Sequence, residues 1–436
     1  MFSAFGRAFK TPDLRKKILF TIGIIAIYRL GAHIPTPGIS YAAVQQCIAN
    51  APTNTGFLGL ANLFSGGALL TLSIFALGIM PYITASIIVQ LLTVVIPRFE
   101  TLKKEGQAGQ QKMTQYTRYL TIGLAILQSS TLITFAQNPS SLLGAGCTNI
   151  MVDNSITTIL IMVLTMTAGT GLVMWLGELL TDKGVGNGMS ILIFTSIVST
   201  FPGALWGIRR TNGWMTFAIV IALGLMVIAA VVFVEQSTRR IPVQYAKRMV
   251  GRQMYGGTST YIPIKVNMAN VIPVIFASSL LALPAMVAQF RTNPTGASPG
   301  WVNFIQSYLV DPGKPGYMVV YTILIIFFTF FYVSITFNPE EVADNMKRYG
   351  GFIPGIRAGR PTAEYLQYVL TRITVPGAIY LALISLIPLV AIAAINADMN
   401  FPFGGTSILI MVGVGLETVK QIEAQLHQRR YEGFLR

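Results

Sequence analysis

Side chains able to perform catalysis are few in this sequence, and none stands in a pattern typical of an active site. The two histidines, His33 and His427, lie near the ends of apolar segments, where solvated interfacial roles are favoured. No Cys/His metal spacing, no Gly-Lys-Ser/Thr phosphate loop and no Gly-x-Ser-x-Gly nucleophile motif occurs. The glycine-rich run 184–188 is better explained as a turn that enters a helix. The sequence therefore predicts no enzyme, no cofactor and no metal site.

Ionisable side chains also avoid the middles of the apolar segments. Arg29, Glu178, Arg372 and Glu417 lie towards segment ends, while the middles are aliphatic or carry Gly, Ser and Thr. Ion-coupled transporters place ionisable groups near the middle of the membrane. The pattern therefore argues against a proton- or sodium-coupled pump, and it allows a pore that is closed by an apolar constriction.

The elements that must position any site are membrane-spanning helices. Of the 436 residues, 53% are hydrophobic and only 11% are charged, whereas a soluble domain carries about 25% charged residues. Apolar runs of near-spanning length predict ten helices, at about 18–33, 72–96, 119–136, 156–180, 189–206, 214–234, 269–290, 317–337, 369–395 and 406–423.

The basic residues predict how these helices are oriented. With both termini on one side, that side holds 26 of the 31 Lys and Arg residues and the other side four, with Arg29 inside the first segment. The positive-inside rule then places both termini in the cytoplasm. Part of the net charge of +15 is therefore topogenic. Basic loops also suit anionic partners, such as ribosomal RNA, an acidic motor surface or lipid headgroups.

Two halves of the chain are predicted to be related by inverted topology. A division near 209–213 leaves five helices on each side, and an odd number inserts a repeated unit upside down. The second helix of each half carries a similar octapeptide, because Ile79–Ser86 and Val271–Ser278 share Pro, Ile, Ala and Ser. Chance similarity between apolar helices is the alternative. The predicted halves are 1–208 and 209–436.

Three further segments are unusual. Residues 56–67 form an apolar run too short to span, which predicts a re-entrant or interfacial helix, with a plain amphipathic surface helix as the alternative. The cytoplasmic loops 235–267 and 338–368 are longer than helix connections require. Long ordered loops are often functional, and β-type residues at 253–265 suggest a hairpin.

The chain has two cysteines, Cys47 and Cys147, both in predicted outer loops. A disulfide would persist there, and free thiols are the alternative.

Ten stretches, in order along essentially the whole chain, resemble the SecY family of protein-export channels. They are Ile34–Gly38, Asn62–Gly67, Ser73–Ile83, Lys104–Gly106, Gln115–Arg118, Gly184–Gly188, Arg239–Lys247, Val271–Ser279, Phe352–Arg357 and Phe403–Ser407. Each stretch alone is modest evidence, but their order and spacing together are highly specific.

The resemblance implies an all-α integral membrane fold. About ten transmembrane helices would form two inverted pseudosymmetric five-helix halves around an hourglass pore. A lateral gate would lie between the second and third and the seventh and eighth helices. Residues 56–67 match the family's plug, with Leu58, Leu60, Leu63 and Phe64.

The family's apolar pore ring maps onto six residues of this chain. They are Ile79, Ile83, Met189, Ile193, Ile275 and Ile410. Met189 departs from the usual β-branched or aliphatic residue, because methionine is unbranched and more flexible.

The resemblance also implies partners and a location. The basic loops match those that dock the ribosome and the SecA motor ATPase, with Arg248, Arg252 and Arg357 as the docking residues. SecE and SecG would be companion subunits in a bacterial cytoplasmic membrane. Secretory preproteins and nascent membrane proteins would be the cargo, and membrane lipid would receive released helices. The alternatives are a small-solute transporter with inverted repeats and a membrane scaffold that transports nothing.

Overall fold

The structure is a computed structural model. It describes residues 11–50, 62, 65–137, 150–245, 248–250, 253–255, 259–290, 300, 308–309, 314–395 and 405–432. The helices of its N-terminal part are α1 Pro12–Gly31, α2 Tyr41–Asn50, α3 Met80–Val95, α4 Pro97–Lys104, α5 Gln107–Gln137, α6 Ile156–Lys183 and α7 Gly188–Gln236. Those of its C-terminal part are α8 Ile272–Phe290, α9 Pro315–Thr336, α10 Pro339–Arg348, α11 Arg360–Ile395 and α12 Gly405–Glu432.

Local sequence explains several helix boundaries. Ile96 precedes Pro97 and is extended, with φ −108° and ψ 114°, because a residue before proline is disfavoured in the helical region. The chain therefore turns by 101° between α3 and α4. Within α7 the helical path is broken at Gly213, where φ is +80°, a value that glycine adopts without steric cost. The break separates the predicted segments 189–206 and 214–234.

Five helices of the described chain are long and apolar enough to cross a membrane, and the bent pair α3–α4 would make a sixth. The five are Ile156–Lys183, Gly188–Gly207, Gly213–Gln236, Pro315–Arg348 and Arg360–Ile387. Each overlaps one apolar segment predicted from the sequence, although Pro315–Arg348 includes both α9 and α10 and Arg360–Ile387 begins nine residues before the predicted segment 369–395.

The predicted helix at 72–96 begins later than expected. Residues 65–79 form successive turns, and α3 starts only at Met80. Gly66, Gly67 and Gly78 all have positive φ, which an α-helix does not allow. Hydropathy alone missed this boundary because the turns are as apolar as the helix.

The loop predicted at 338–368 is largely helical. It contains α10 and the first turns of α11. The Asn338 side-chain oxygen accepts hydrogen bonds from the backbone N–H groups of Glu340 (3.2 Å) and Glu341 (3.5 Å), which is a typical N-cap. Pro339 at the first helical position is also favourable.

Strands occur in the two long loops, 235–267 and 338–368. They are β1 Thr238–Tyr245, β2 Arg248–Val250, β3 Gln253–Tyr255, β4 Ser259–Lys265 and β5 Gly351–Phe352. The suggested hairpin is present, but its long arms are β1 and β4, paired antiparallel from Thr238 opposite Lys265 to Gln244 opposite Ser259. Strand β5 pairs with the other edge of β1, so one sheet of order β4-β1-β5 contains strands from both loops.

The chain divides into two compact units. The first comprises Met1–Ile221, Val310–Pro312 and Ala391–Arg436, and the second comprises Ala222–Leu309 and Gly313–Val390. The first has a buried cluster that includes Val44, Ile133 and Met162. The second has one in which Ile241 and Ile264 of the sheet pack with Leu366 of α11. The inverted relation of 1–208 and 209–436 stays a prediction.

Cys47 is a buried residue of α2 in the first cluster and is disulfide-bonded. The chain's other cysteine, Cys147, lies outside the described residues.

Candidate functional site

The predicted plug, 56–67, is described only at Asn62, Ser65, Gly66 and Gly67. The four plug residues predicted from the sequence lie outside the described residues, namely Leu58, Leu60, Leu63 and Phe64. What the structure describes is the point where the segment joins the helix bundle. We call Ser65–Gly67 the plug hinge.

Local hydrogen bonds shape the plug hinge. The backbone oxygen of Asn62 accepts from Gly67 N–H (2.9 Å), and its side-chain oxygen accepts from Leu70 N–H (3.1 Å). Ser65 Oγ accepts from Leu69 N–H (3.0 Å). Gly66 and Gly67 have φ of +69° and +91°, so these positions favour glycine over any residue with a Cβ atom.

Arg29, near the end of α1, ties the plug hinge to α7. Its Nη1 donates to the backbone oxygen of Gly66 (2.9 Å) and to Ser199 Oγ of α7 (2.8 Å). A Cβ atom on Gly66 would lie 3.0 Å from that nitrogen and 3.1 Å from the Cα atom of Ser196. The hinge backbone therefore fits closely against both helices, and we call the Arg29–Gly66–Ser199 contacts the hinge latch.

The neighbouring residue strengthens the same junction between α1 and α7. Tyr28 is fully buried, and its hydroxyl is hydrogen-bonded to Ser196 Oγ at 2.7 Å. Its ring stacks on Phe75, with centroids 5.9 Å apart. A side chain on Gly31 would overlap the Phe75 ring. Buried polar groups that are fully paired specify one arrangement of the helices around them.

The six predicted pore-ring residues all lie at or near the beginnings of helices. Ile79 precedes α3, and Ile83 lies in the first turn of that helix. Met189 and Ile193 lie in the first two turns of α7. Ile275 lies in the first turn of α8, and Ile410 lies in the second turn of α12. Ile79, Ile193 and Ile410 are buried, and the other three are half-buried. Convergence of all six on one neck stays a prediction.

Met189, the residue that departs from the family pattern, packs closely on α6. A Cβ atom on Gly177 would overlap the Met189 sulfur and lie 3.4 Å from a methyl group of Leu192. The glycine therefore makes room for the long side chain, so α6 limits where the Met189 side chain can lie.

The basic loops meet in the sheet β4-β1-β5. Gln244 and Tyr245 of β1 lie opposite Phe352 and Gly351 of β5. At the base of the sheet, buried Asn267 donates from Nδ2 to Glu235 Oε1 (2.6 Å) and to the backbone oxygen of Asn270 (3.2 Å). The sheet is thereby fixed to the end of α7 and to the chain entering α8.

Arg357 is exposed on a turn that begins just after β5. Gly355 and Gly359 on either side have positive φ, and buried Thr362 donates from Oγ1 to the Arg357 backbone oxygen (2.8 Å). The neighbouring Arg360 pairs with Glu364 (3.2 Å). In the described part of the chain, no carboxylate lies within ion-pair distance of Arg357.

The other two predicted docking residues are less fully described. Arg248 lies in β2 opposite Tyr255, and its side chain is not among the described ones. Arg252 lies outside the described residues.

Sequence reasoning missed the hinge latch and the sharing of one sheet by two loops. An arginine inside an apolar segment was a usable signal for the latch, because such residues find polar partners. The partners themselves, Gly66 and Ser199, are distant in sequence. Strand β5 has only two residues, which is too short for the alternation of apolar and polar side chains that indicates a strand.

Long apolar helices, a broken segment before α3 and a small sheet formed by two long loops define an all-α polytopic membrane protein. A solved structure described as that of a protein-conducting channel matches with a TM-score of 0.62 at 18% identity, over 94% of this chain and 92% of that chain. Sec61 in a canine ribosome-channel complex from the endoplasmic reticulum gives the same TM-score, identity and coverage. The predicted fold class is confirmed.

Sequence comparisons give the family. The SecY family model matches residues 73–419. The protein translocase subunit SecY of Streptomyces scabiei is 67% identical over 100% of both chains. That of Mycobacterium tuberculosis strain H37Rv is 58% identical over the same shares. The chain belongs to the SecY family.

Proposed function

We propose that the chain is the central protein-conducting channel of a Sec translocon. It passes unfolded secretory polypeptides across the membrane and releases membrane-protein helices sideways into lipid. The observation that carries the proposal is full-length identity of 67% to a chain named protein translocase subunit SecY. The absence of ionisable side chains from the middles of the apolar segments supports a passive pore over an ion-coupled transporter.

The channel lies in the bacterial cytoplasmic membrane with both termini in the cytoplasm, as the distribution of Lys and Arg predicts. SecE and SecG are its companion subunits, and the SecA motor and the ribosome are its cytoplasmic partners. The canine Sec61 neighbour comes from a ribosome-channel complex, which supports the ribosome as a partner. The channel itself is not an enzyme, so the energy for translocation comes from the motor or from synthesis.

An apolar ring formed by Ile79, Ile83, Met189, Ile193, Ile275 and Ile410 closes the resting pore. Ions lose hydration at an apolar constriction and gain no replacement ligands, so their passage is unfavourable. The same side chains contact a moving polypeptide without binding it through hydrogen bonds. This suits a pore that must accept many different sequences.

The hinge latch keeps the plug at its resting position. A hydrogen bond from a charged donor contributes about 1.5–3 kcal/mol when buried, and Arg29 makes two of them. Opening the plug moves the hinge and breaks the contact with Gly66. The latch therefore stabilises the closed state relative to the open one, and translocation must overcome this difference.

Conductance measurements test the latch. Arg29→Gln should raise the resting ion conductance of the purified channel in planar bilayers about tenfold, since about 1.4 kcal/mol shifts a two-state equilibrium by that factor. Ser199→Ala removes one of the two side-chain contacts and should give a smaller increase. Arg15→Gln, at an exposed position of the same helix, is the control. Wild-type conductance in both latch variants would disprove the latch.

Reconstitution tests the channel itself. Proteoliposomes with the chain, its companion subunits, the motor and ATP should protect an added preprotein from protease, and omission of the chain should abolish protection. Uptake of a small solute without any preprotein protection would instead favour the transporter with inverted repeats.

A further inference from the structure

A cation contacts two indole rings at the turn inside α7. The Arg209 guanidinium carbon is 4.3 Å from the ring centroid of Trp206 and 4.0 Å from that of Trp214. Trp206 belongs to the apolar stretch Gly188–Gly207 and Trp214 to the stretch Gly213–Gln236. Arg209 thus bridges the facing ends of two successive membrane segments. We call Trp206, Arg209, Arg210 and Trp214 the Arg–Trp clamp.

Among the described residues, the Arg209 and Arg210 side chains make no hydrogen bond. Stacking on indoles uses the two faces of a guanidinium, whereas its five N–H donors lie in the plane between them. Arg210, the next residue, is exposed. No carboxylate of the described chain lies within ion-pair distance of either arginine. Two adjacent cations with in-plane donors suit a planar or tetrahedral oxyanion, which accepts such donors in pairs.

The position of the clamp identifies the oxyanion. Both tryptophan side chains are largely exposed, at 51% and 66%, and tryptophan at helix ends is typical of the headgroup level of a bilayer. Phosphodiesters are the oxyanions present at that depth. By the predicted topology this turn is extracytoplasmic, where Lys and Arg are otherwise scarce, so topogenic charge does not explain a pair of arginines there.

We propose that the Arg–Trp clamp binds the phosphodiester of an anionic phospholipid in the extracytoplasmic leaflet. An anionic headgroup is favoured over a zwitterionic one because two cations repel a headgroup ammonium. The bound lipid holds the turn at the headgroup level, and the tryptophans contact the glycerol and upper acyl regions beside it.

Lipid titration of the purified channel tests the proposal. Native mass spectrometry in mild detergent would measure the binding of phosphatidylglycerol and of phosphatidylcholine with the same acyl chains. Wild type should bind phosphatidylglycerol more tightly, and Arg209→Gln should weaken that binding about tenfold, equivalent to about 1.4 kcal/mol. Lys314→Gln is the matched control, because Lys314 is another exposed basic residue of the predicted outer side and no aromatic contact involves it among the described residues.

Two milder variants keep the test decisive if Arg209→Gln does not assemble. Arg209→Lys keeps the charge but loses the planar donors, and Trp214→Leu keeps both cations but removes one stacking surface; each should weaken phosphatidylglycerol binding. Inorganic phosphate at millimolar concentration should not compete, since it lacks the acyl chains. Equal affinity for the two lipids, unchanged affinity in all the clamp variants, or competition by inorganic phosphate would overturn the proposal.

Discussion

The plug hinge and the Arg357 turn both display an arginine, but the two regions use it in opposite ways. Arg29 donates hydrogen bonds from Nη1 to two oxygens of its own chain, those of Gly66 and Ser199. Arg357 is exposed and has no carboxylate partner in the described part of the chain, although the Arg360 beside it does. A cation paired internally stabilises one state of the channel, whereas a cation left unpaired on an ordered turn is available to a partner.

This difference predicts that the two regions fail in different ways. Variants of the plug hinge should leak ions while still binding the motor. Variants of the Arg357 turn should lose motor-driven transport while remaining closed to ions. If variants of one region caused both ion leakage and loss of motor-driven transport, the two regions would not be independent.

The largest effect is expected for Arg357→Glu. Removing one partner of a buried charged contact at an interface costs about 2 kcal/mol or more, so translocation driven by the motor should fall at least about thirtyfold. Thermal unfolding should be unchanged, because the turn is shaped by Gly355, Gly359 and the Thr362 hydrogen bond.

Arg360→Glu serves as the control for that prediction, since Arg360 is as exposed but already paired with Glu364. An equal loss of translocation in both variants would show that the motor senses general positive charge. Normal translocation by Arg357→Glu would remove Arg357 from the docking surface.

An intermediate effect is expected for the pore ring. Ile410→Asn places an amide at a position that is 2% exposed, which favours water there and destabilises the closed state. A bias of about 1.4 kcal/mol shifts the equilibrium tenfold, so both ion leakage and export of preproteins with defective signal sequences should rise by about that factor. Ile275→Asn should behave alike.

Ser190→Ala is the control for the ring, because Ser190 is next to Met189 but outside the predicted ring. Leakage in Ser190→Ala as large as in Ile410→Asn, or none in either ring variant, would contradict a hydrophobic gate.

The smallest effect is expected where the two loops share a sheet. A Cβ atom on Gly351 would lie 3.0 Å from the Tyr245 ring. The larger side chain of Gly351→Val should therefore destabilise the pairing of β1 with β5 by about 1–3 kcal/mol. Amide hydrogen exchange at Gln244 and Tyr245 should accelerate, and motor-driven transport should fall a few-fold. Gly415→Val, which has open space at its Cβ position, should do neither. Unchanged exchange in Gly351→Val would show that β5 does not hold the turn.

Most of the helices were predictable from the sequence, and the reason is physical. A bilayer accepts only segments that satisfy their own backbone and present apolar side chains, so hydropathy located 156–180, 189–206 and 214–234 to within a few residues. The same signal failed at the start of α3, where glycines with positive φ interrupt an equally apolar run. Hydropathy also failed to detect α10, because this helix is rich in charged residues. Its only sequence signal is the N-cap formed by Asn338 and Pro339.

The candidate sites were predictable only in part. The family motif supplied the ring and Arg357 as positions along the chain. The partners of Arg29 lie 37 and 170 residues away, and contacts of that separation leave no local pattern. The Arg–Trp clamp was partly visible, since Arg209 and Arg210 were two of only four basic residues on the predicted outer side.

Photo-crosslinking of a stalled secretory chain tests the central claim most directly. A photoreactive residue at Ile193, which is buried and belongs to the predicted ring, should crosslink to the translocating polypeptide only when the motor and ATP have engaged it. The same residue at Ile161, an exposed position of α6, should not. Crosslinking confined to Ile193 is the predicted result. Equal crosslinking at both positions, or none at Ile193 with a chain shown to be stalled midway, would contradict a protein-conducting pore lined by this ring.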